Sequence, residues 1–471
     1  MTTDSAPGTA PSVPAPVAPD IAATVARLRE TFATGRTRSI EWRKQQLKAL
    51  ERLVVENEPA IAEALAQDLG RKPFEAWLAD IASTAGEAAD AAKHVGKWTR
   101  RNHRLLELSQ LPGRGWVEYE PYGTVLIIGA WNFPFALTLG PAVGAIAAGN
   151  AVVLKPSEVA PASSAVMAEL VPKYLDNDAI AVIEGDGAVS QELIAQGFDR
   201  VLFTGGTEIG RKVYESAAPH LTPVTLELGG KSPVIVADDA DIDVAAKRIA
   251  WTKLINSGQT CIAPDYVLAD AKIRDKLVDK IKDAVTEFES GETGKRIVNR
   301  RHFDRLTASV AETKGTIAIG GGSDAESLQI QPTVVVDPDL NEPLMSDEIF
   351  GPILPVVTVQ SLDEAIKFVN SRPKPLAAYL FTKTKKIRER VIKEVSAGGM
   401  LVNHLVFQFA TTKLPFGGVG PSGMGAYHGR WGFEEFSHKK SVMTKPTRPD
   451  LGAMIYPPYT EKAWKLARKL F

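Results

Sequence analysis

Hydrophobic and polar positions change rhythm several times along the chain, and the clearest regime runs from residue 124 to residue 228. Short unbroken apolar runs at 125–130, 151–155, 180–184, 200–204 and 224–228 alternate there with longer segments at 135–148, 162–174, 188–196 and 207–218. The longer segments read as helices. Continuous apolar strands alternating with helices predict βαβ units and a parallel sheet covered on both faces. In such sheets ligands bind outside the carboxyl ends of the strands. The residues just past each apolar run are therefore the ones to inspect for chemistry.

Upstream, Asp20 is placed to cap a helix over 21–33, and residues 40–103 carry Ala, Leu, Glu, Lys and Arg at helical spacing. The basic run 97–104 reads as a solvated helix end. At 113–121 aromatic and branched residues punctuated by Gly and Pro predict an extended arm or hairpin. Downstream of Gly230 a second α/β region is expected, with strands at 234–236, 266–269, 333–336, 353–358 and 378–382. Its helices are expected at 244–255, 272–288, 362–370 and 385–395, with a turn at 320–323. From Phe416 the chain turns Gly-rich and loop-like, and it ends in a basic amphipathic segment at 461–471. The first 20 residues are biased to Pro, Ala and Ser and predict a solvated tail.

Composition adds limits more than direction. The 471 residues include 44% hydrophobic and 24% charged side chains, enough for sizeable cores. With 55 basic and 56 acidic residues the net charge is −1, which gives no electrostatic reason to expect nucleic acid or an anionic membrane as partner. The N-terminus lacks the basic and apolar regions of a secretory signal, and no apolar run is long enough to cross a bilayer. The expectation is a cytoplasmic protein. The terminal segment sets Trp464, Leu466, Leu470 and Phe471 against Lys462, Lys465, Arg468 and Lys469. It is too short and too poor in apolar residues for a stable membrane anchor, and is expected to pack across a dimer or over a substrate entrance.

One cysteine in the whole chain, Cys261, leaves no disulfide to form and no thiolate cluster for a metal. It is either a buried apolar group or a nucleophile. The polar run Asn256, Ser257, Gly258, Gln259, Thr260 ahead of it is loop chemistry, and loops on rigid scaffolds carry reactive groups. Four strand-end stretches supply company. Asn132, after Trp131, is a turn residue or an amide donor to an oxyanion. Lys155 and Glu158 form either a surface ion pair or a grip on the two hydroxyls of a ribose. Gly205 and Gly210 open a helix, for steric reasons or to bring backbone N–H groups to a phosphate. Glu227 lies inside an apolar run, as half of a buried salt bridge with a lysine or as a general base. The histidines are scattered and imply no metal site.

These residues resemble the aldehyde dehydrogenase superfamily. WNFP at 131–134, KPSE at 155–158, FTGGTEIG at 203–210, ELGGKSP at 227–233 and GQTC at 258–261 follow the family order, with EIFGP at 348–352 and PFGGVGPSGMGAYHG at 415–429 after them. The likeness runs from about residue 21 to about 445. GQTCIAPDY, RIVNRRHF at 296–303 and SGMGAYHG are similar to the class 3 branch, which includes fatty and aromatic aldehyde dehydrogenases.

The resemblance implies an α/β fold: a five-stranded Rossmann-variant cofactor domain (21–106 and 123–228), an α/β catalytic domain (229–415) and a β-arm (107–122 and 436–445) that joins protomers, with 446–471 as a C-terminal tail. It implies Cys261 as nucleophile, Asn132 and the Cys261 backbone N–H as oxyanion donors, and Glu227 as general base. Lys155 and Glu158 would contact the adenosine ribose, and Gly205 and Gly210 would line the cofactor crevice. Glu348 would hold the nicotinamide ribose, with Trp131 and Phe350 close by. NAD is the expected cofactor, with NADP possible, an apolar small-molecule aldehyde, aromatic or medium-to-long aliphatic, the substrate, and a homodimer the assembly. Transfer of the acyl group to coenzyme A and a catalytically silent role are the competing readings. Trp131, Phe133, Phe407 and Phe409 either line an apolar tunnel or pack the core, and residues 403–415, with His404, are where substrate determinants are expected.

Overall fold

The computed structural model describes residues 20–289 and 295–470. The tail expected at 1–20, save Asp20, and Phe471 lie outside the described residues. Two sheets organise the rest.

The first contains strands in the order Gly423–Met424, Val224–Glu227, Arg200–Thr204, Thr124–Ile128, Ala151–Lys155, Ile180–Val182. The last five are parallel to one another, as the alternating pattern requires. The chain runs outward from the central strand Thr124–Ile128 through two neighbours on one side, then returns to build the other side. That reversal creates the crevice in which open α/β sheets bind ligands. Helix Pro134–Ala148 lies beneath it with every residue buried, and helices Ile40–Glu56 and Ala82–Trp98 pack their apolar faces on it in one core with Val125, Ile127 and Leu154. Asp20 caps the first helix, accepting from the Ala23 N–H at 2.9 Å.

The sixth strand is a departure from the five expected. Gly423–Met424 pairs antiparallel with Leu226 and Glu227, so the Gly-rich stretch after 416 returns to the first sheet. This stretch also holds helix Gly429–Glu435 and strand Ser437–Thr444.

The second sheet runs Thr316–Ile319, Thr333–Val336, Ile353–Val359, Tyr266–Asp270, Pro233–Val236, Ala377–Phe381, Gly399–Val402. Its five inner strands match the apolar runs of the sequence. The two edge strands, and helix Arg300–Glu312, are additions. Edge strands carry weak signals because only one side of the ladder constrains them; three of the four residues of Gly399–Val402 are neither Val nor aromatic.

A third sheet joins Asn102–Arg104, Arg114–Pro121 and Ser437–Thr444. The basic run at 97–104 is thus not all helix end: the helix stops at Trp98 and Asn102 to Arg104 pair with Val117 to Gly115. Strand Ser437–Thr444 pairs along its full length with Arg114–Pro121, and its other edge pairs with no strand among the described residues. The helix Glu461–Leu470 sits beside this sheet, and Leu466 shares a cavity of about 1150 Å³ with Leu108, Leu111, Arg114 and Met454.

Candidate active site

Cys261 lies where two cavities meet. One, of about 700 Å³, follows the strand-end crevice past Trp131, Lys155, Glu158, Gly205, Gly206, Glu348 and Phe350. The other, of about 410 Å³, is a mostly apolar tunnel walled by Phe74, Leu78, Phe133, Trp251, Ile262, Phe288, Phe407 and Phe409. Phe133, Phe407 and Phe409 therefore line a tunnel, while Trp131 belongs to the crevice. His404 stacks edge-on against Phe407, with ring centroids 4.2 Å apart, and so stands behind the tunnel wall.

The loop that presents the thiol is bent by an unusual backbone. Asn256, Ser257 and Gly258 have φ values of 51°, 53° and 71° in succession. Asn tolerates that left-handed region better than most residues. Glycine is required at 258 also because a Cβ there would meet the Gly351 carbonyl oxygen at 2.2 Å. The bend is held from inside. The Asn256 side-chain N–H donates to the main-chain oxygens of Asn132 at 3.0 Å and Gln259 at 3.1 Å. Gln259 in turn donates to Asn256 and Arg296 carbonyls and accepts from the Val298 N–H. Lys253, 3% exposed, reaches the Pro264 carbonyl at 3.0 Å on the far side of the loop, and burial lowers its pKa to about 8.

Asn132 is 3% exposed and spends one side-chain N–H on the Gln259 carbonyl at 3.1 Å. An amide carries two N–H groups, so the second is left for a ligand. Behind Asn132 stands a buried ion pair, Arg71 with Asp80. Asp80 accepts from the N–H groups of Phe135 and Ala136, at the start of the buried helix, at 3.0 and 2.9 Å. Arg71 donates to the Asn132 carbonyl and to Asn256 Oδ1. The nucleophile loop and the oxyanion-donor turn are thereby tied into one body.

Glu227 ends its strand 2% exposed, and neither carboxylate oxygen has a hydrogen-bond partner. Among the described residues no lysine bonds it, so the salt-bridge alternative falls away. Burial first, and the like charge of Glu435 second, push its pKa well above the ordinary 4.5. The thiol of Cys261 is pushed up as well, by burial and by the carboxylates of Glu348 and Glu227; its own N–H and that of Ile262 oppose this. Glu348 is raised to about 8 by burial and Asp265, against the pull of the Gly230 N–H, Lys231 and Arg305. Lys231 fastens this loop by bonding Asp265 and the carbonyls of Leu344 and Asp347.

In the crevice, Lys155 is 2% exposed and bonds Glu158 at 2.8 Å, with Glu158 half exposed at the rim. Helix Thr207–Ala217 starts at Gly206 without any side-chain cap, so its first N–H groups are free for an anion. Gly205 forms the wall where a Cβ would meet the Phe203 ring at 2.4 Å. Gly210 departs from its expected place: it lies behind the wall, buried, where a Cβ would strike Leu228 at 2.6 Å. At the inner end the Trp131 ring meets Phe350 edge-on at 5.3 Å and His302 at 5.6 Å. A long crevice with a paired Lys and Glu, an uncapped helix start and an aromatic inner end fits an extended dinucleotide. Nothing in the local sequence singles out Arg71, Asp80 or Lys253: Arg71 lies in the loop after helix Glu58–Leu69, and Asp80 and Lys253 sit in helical segments among other charges.

Comparison with known proteins agrees with this geometry. The pattern of the Aldehyde dehydrogenase family matches residues 8–442. Aldehyde dehydrogenase family 3 member A2 of Rattus norvegicus is 46% identical over 444 residues, covering 93% of this chain and 91% of its own. The rat protein named aldehyde dehydrogenase, dimeric NADP-preferring, is 46% identical over 431 residues, 90% of this chain and 94% of its own. Among solved structures, the substrate-bound state of Staphylococcus aureus AldH superimposes with a TM-score of 0.92 at 42% identity, covering 95% of this chain and 99% of that one.

Proposed function

The chain belongs to the aldehyde dehydrogenase family, and from that premise we propose that it oxidises an apolar aldehyde, aromatic or medium-to-long aliphatic, to the carboxylic acid with NAD(P)⁺. The observation that carries the reading is the position of Cys261 at the meeting point of an apolar tunnel and a dinucleotide-shaped crevice. An aldehyde entering through Phe407 and Phe409 reaches the thiol from one side, and the crevice opens on the other.

The residues divide the work. Cys261 Sγ attacks the carbonyl carbon, and the backbone N–H groups of Cys261 and Ile262 offset the cost of its negative charge. The uncommitted N–H of Asn132 and the Cys261 N–H hold the oxyanion; losing one such donor typically costs ~2.7–4 kcal/mol. Nicotinamide dinucleotide, bound with Lys155 and Glu158 at its adenosine ribose and Glu348 at its nicotinamide ribose, supplies the hydride acceptor. Trp131 and Phe350 shape the crevice at the reacting end. Glu227 takes a proton from the water that releases the acyl group from sulfur. Aldehyde, water and NAD(P)⁺ give carboxylate, NAD(P)H and protons.

We read the assembly as a homodimer joined through the outer edge of Ser437–Thr444; the similar rat protein is named as dimeric. No helix among the described residues is long and apolar enough to cross a membrane. A lone reactive thiol suits a reducing, cytoplasmic compartment. The test is a panel of aldehydes followed by NAD(P)H absorbance, with and without coenzyme A, on the wild-type protein and Cys261→Ala. Oxidation of apolar aldehydes without coenzyme A, lost in the variant, is expected. Unchanged turnover in Cys261→Ala would end the reading.

A further inference from the structure

Glu227 is not the only polar group left without a partner in this region. The hydroxyl of Tyr427 is likewise buried and unbonded, in a side chain 1% exposed. Leaving a buried polar group unsatisfied costs ~1–3 kcal/mol, and native structures hold few of them. Several buried groups share this state, Thr260 Oγ1 and His428 Nε2 among them; Glu227 and Tyr427 lie on neighbouring segments and bear electrostatically on each other and on Cys261.

The segments are locked together. Gly423 and Met424 pair with Glu227 and Leu226, and three residues on, Tyr427 exchanges both backbone hydrogen bonds with Phe416, at 2.8 and 3.1 Å. The Tyr427 ring is clamped flat against His428, with centroids 4.3 Å apart, and edge-on to Phe416. His428 is itself fixed by Glu87, whose carboxylate takes Nδ1 at 3.1 Å and the Gly429 N–H. Ile262, Phe416 and Tyr427 belong to one apolar cluster, with Cys261 packed against it. The charges that bear on the hydroxyl are those of Glu227, Cys261 and Glu87, and with burial they keep it protonated. It is a donor, rigidly held, within electrostatic reach of Glu227, an acceptor to which it does not bond.

We propose that Tyr427 and Glu227 together hold the hydrolytic water, Tyr427 donating to its oxygen while Glu227 accepts its proton. A water needs two or more polar partners to be held in a buried site, and these two orphaned groups, each close enough to Cys261 to bear on its charge, supply them. The inference rests on the cysteine–thioester reading above. In the step, the water oxygen bonds to the thioester carbonyl carbon and its proton passes to Glu227. The carbon–sulfur bond then breaks, returning the electron pair to Cys261 and freeing the carboxylic acid. Tyr427 loses no proton; it fixes where the water oxygen sits.

Tyr427→Phe removes that hydroxyl and nothing else. Single-turnover mixing of enzyme, NAD⁺ and an apolar aldehyde separates formation of NADH from decay of the thioester, the latter followed by rapid quench. The expected variant forms NADH within about twofold of the wild-type rate. Its thioester decays at least tenfold more slowly, and added hydroxylamine, an acyl acceptor that does not need the water site, restores turnover. Its melting temperature stays close to that of wild type, since the hydroxyl makes no hydrogen bond to the protein. Unchanged thioester decay overturns the proposal, as does a parallel fall in both rates together with a lower melting temperature. Failure of the wild-type protein to form NADH from any aldehyde would instead defeat the underlying reading of the site.

Discussion

The Asn256 side chain donates to the main-chain oxygen of Asn132 at 3.0 Å, so the loop that presents the thiol and the turn that presents the oxyanion donor move as one. Arg71 bonds both residues from behind. The relationship matters because Asn132 and Cys261 must converge on one carbonyl group, and displacing a catalytic group by ~1 Å can cost ~10²-fold in rate. Asn256→Ala keeps the chain length and removes the tie, and it places a less tolerant residue at φ 51°. Its kcat should fall about a hundredfold while the Kd for NAD⁺, measured by fluorescence titration, stays within a few-fold of wild type. Near-normal kcat would show that Asn132 is held by other means.

Glu227 carries a stability cost that its function explains. Its folded pKa lies well above 4.5 because burial, and then Glu435, disfavour the charge. The unfolded chain releases this proton near 4.5 and the folded chain keeps it. Its contribution to stability is therefore complete below pH ~4.5 and declines as pH rises through the window up to the folded value. Glu227→Gln has no proton to hold and escapes the decline. Thermal melts across pH should show the variant equal to wild type near pH 4 and more stable at pH 8, while thioester hydrolysis is nearly lost. A wild-type advantage at pH 8 would contradict the raised pKa.

Arg200 acts on the same carboxylate from one residue further away. It pairs with Glu435, and both bond Thr225, which lies two residues before Glu227 on the same face of the strand. Arg200→Met leaves Glu435 without its partner in a site where both side chains are mostly buried. Breaking such a pair costs ~3–5 kcal/mol, read as a lower midpoint in urea. The unscreened charge on Glu435 should also raise the Glu227 pKa further, moving the acid limb of the kcat profile to higher pH. Arg200→Lys should restore most of the limb's position. An acid limb that does not move would separate Glu435 from the chemistry.

The part of this site legible in the sequence was the part carried by local pattern. Apolar runs ended by Gly, Pro or a lone polar residue marked Asn132, Lys155, Gly205 and Glu227, because a buried parallel strand must be apolar and its end must turn. The Asn–Ser–Gly run announced a loop at Cys261, though not three left-handed residues in a row. What stayed hidden depends on distant partners. Arg71 lies in the loop after helix Glu58–Leu69 and Asp80 in the helical turn Trp77–Ile81, and both are buried where they meet the turn and helix start at residues 132–136. Asn102–Arg104 becomes a strand through its partner at 115–117, with no alternation of its own. Tyr427 lies in a glycine-rich stretch that reads as loop, and its return to the Glu227 strand is a matter of topology.

Glu158 sets the choice of cofactor by its charge. It stands half exposed at the crevice rim, held by Lys155 at 2.8 Å. Beside a free ribose 2′-hydroxyl a carboxylate can accept a hydrogen bond; beside a 2′-phosphate it repels. At ~4 Å in a water-like dielectric each pair of unit charges is worth ~1 kcal/mol, so a phosphate of charge about −2 loses ~1–2 kcal/mol, or roughly tenfold in binding. Glu158→Gln retains the hydrogen bond and removes the repulsion. The ratio of kcat/KM for NADP⁺ to that for NAD⁺, measured at equal concentrations, should rise about tenfold, most steeply at low salt where screening is weakest. A ratio that ignores both the substitution and the salt would place the 2′ position away from Glu158 and reassign the ribose contact to another residue of the crevice.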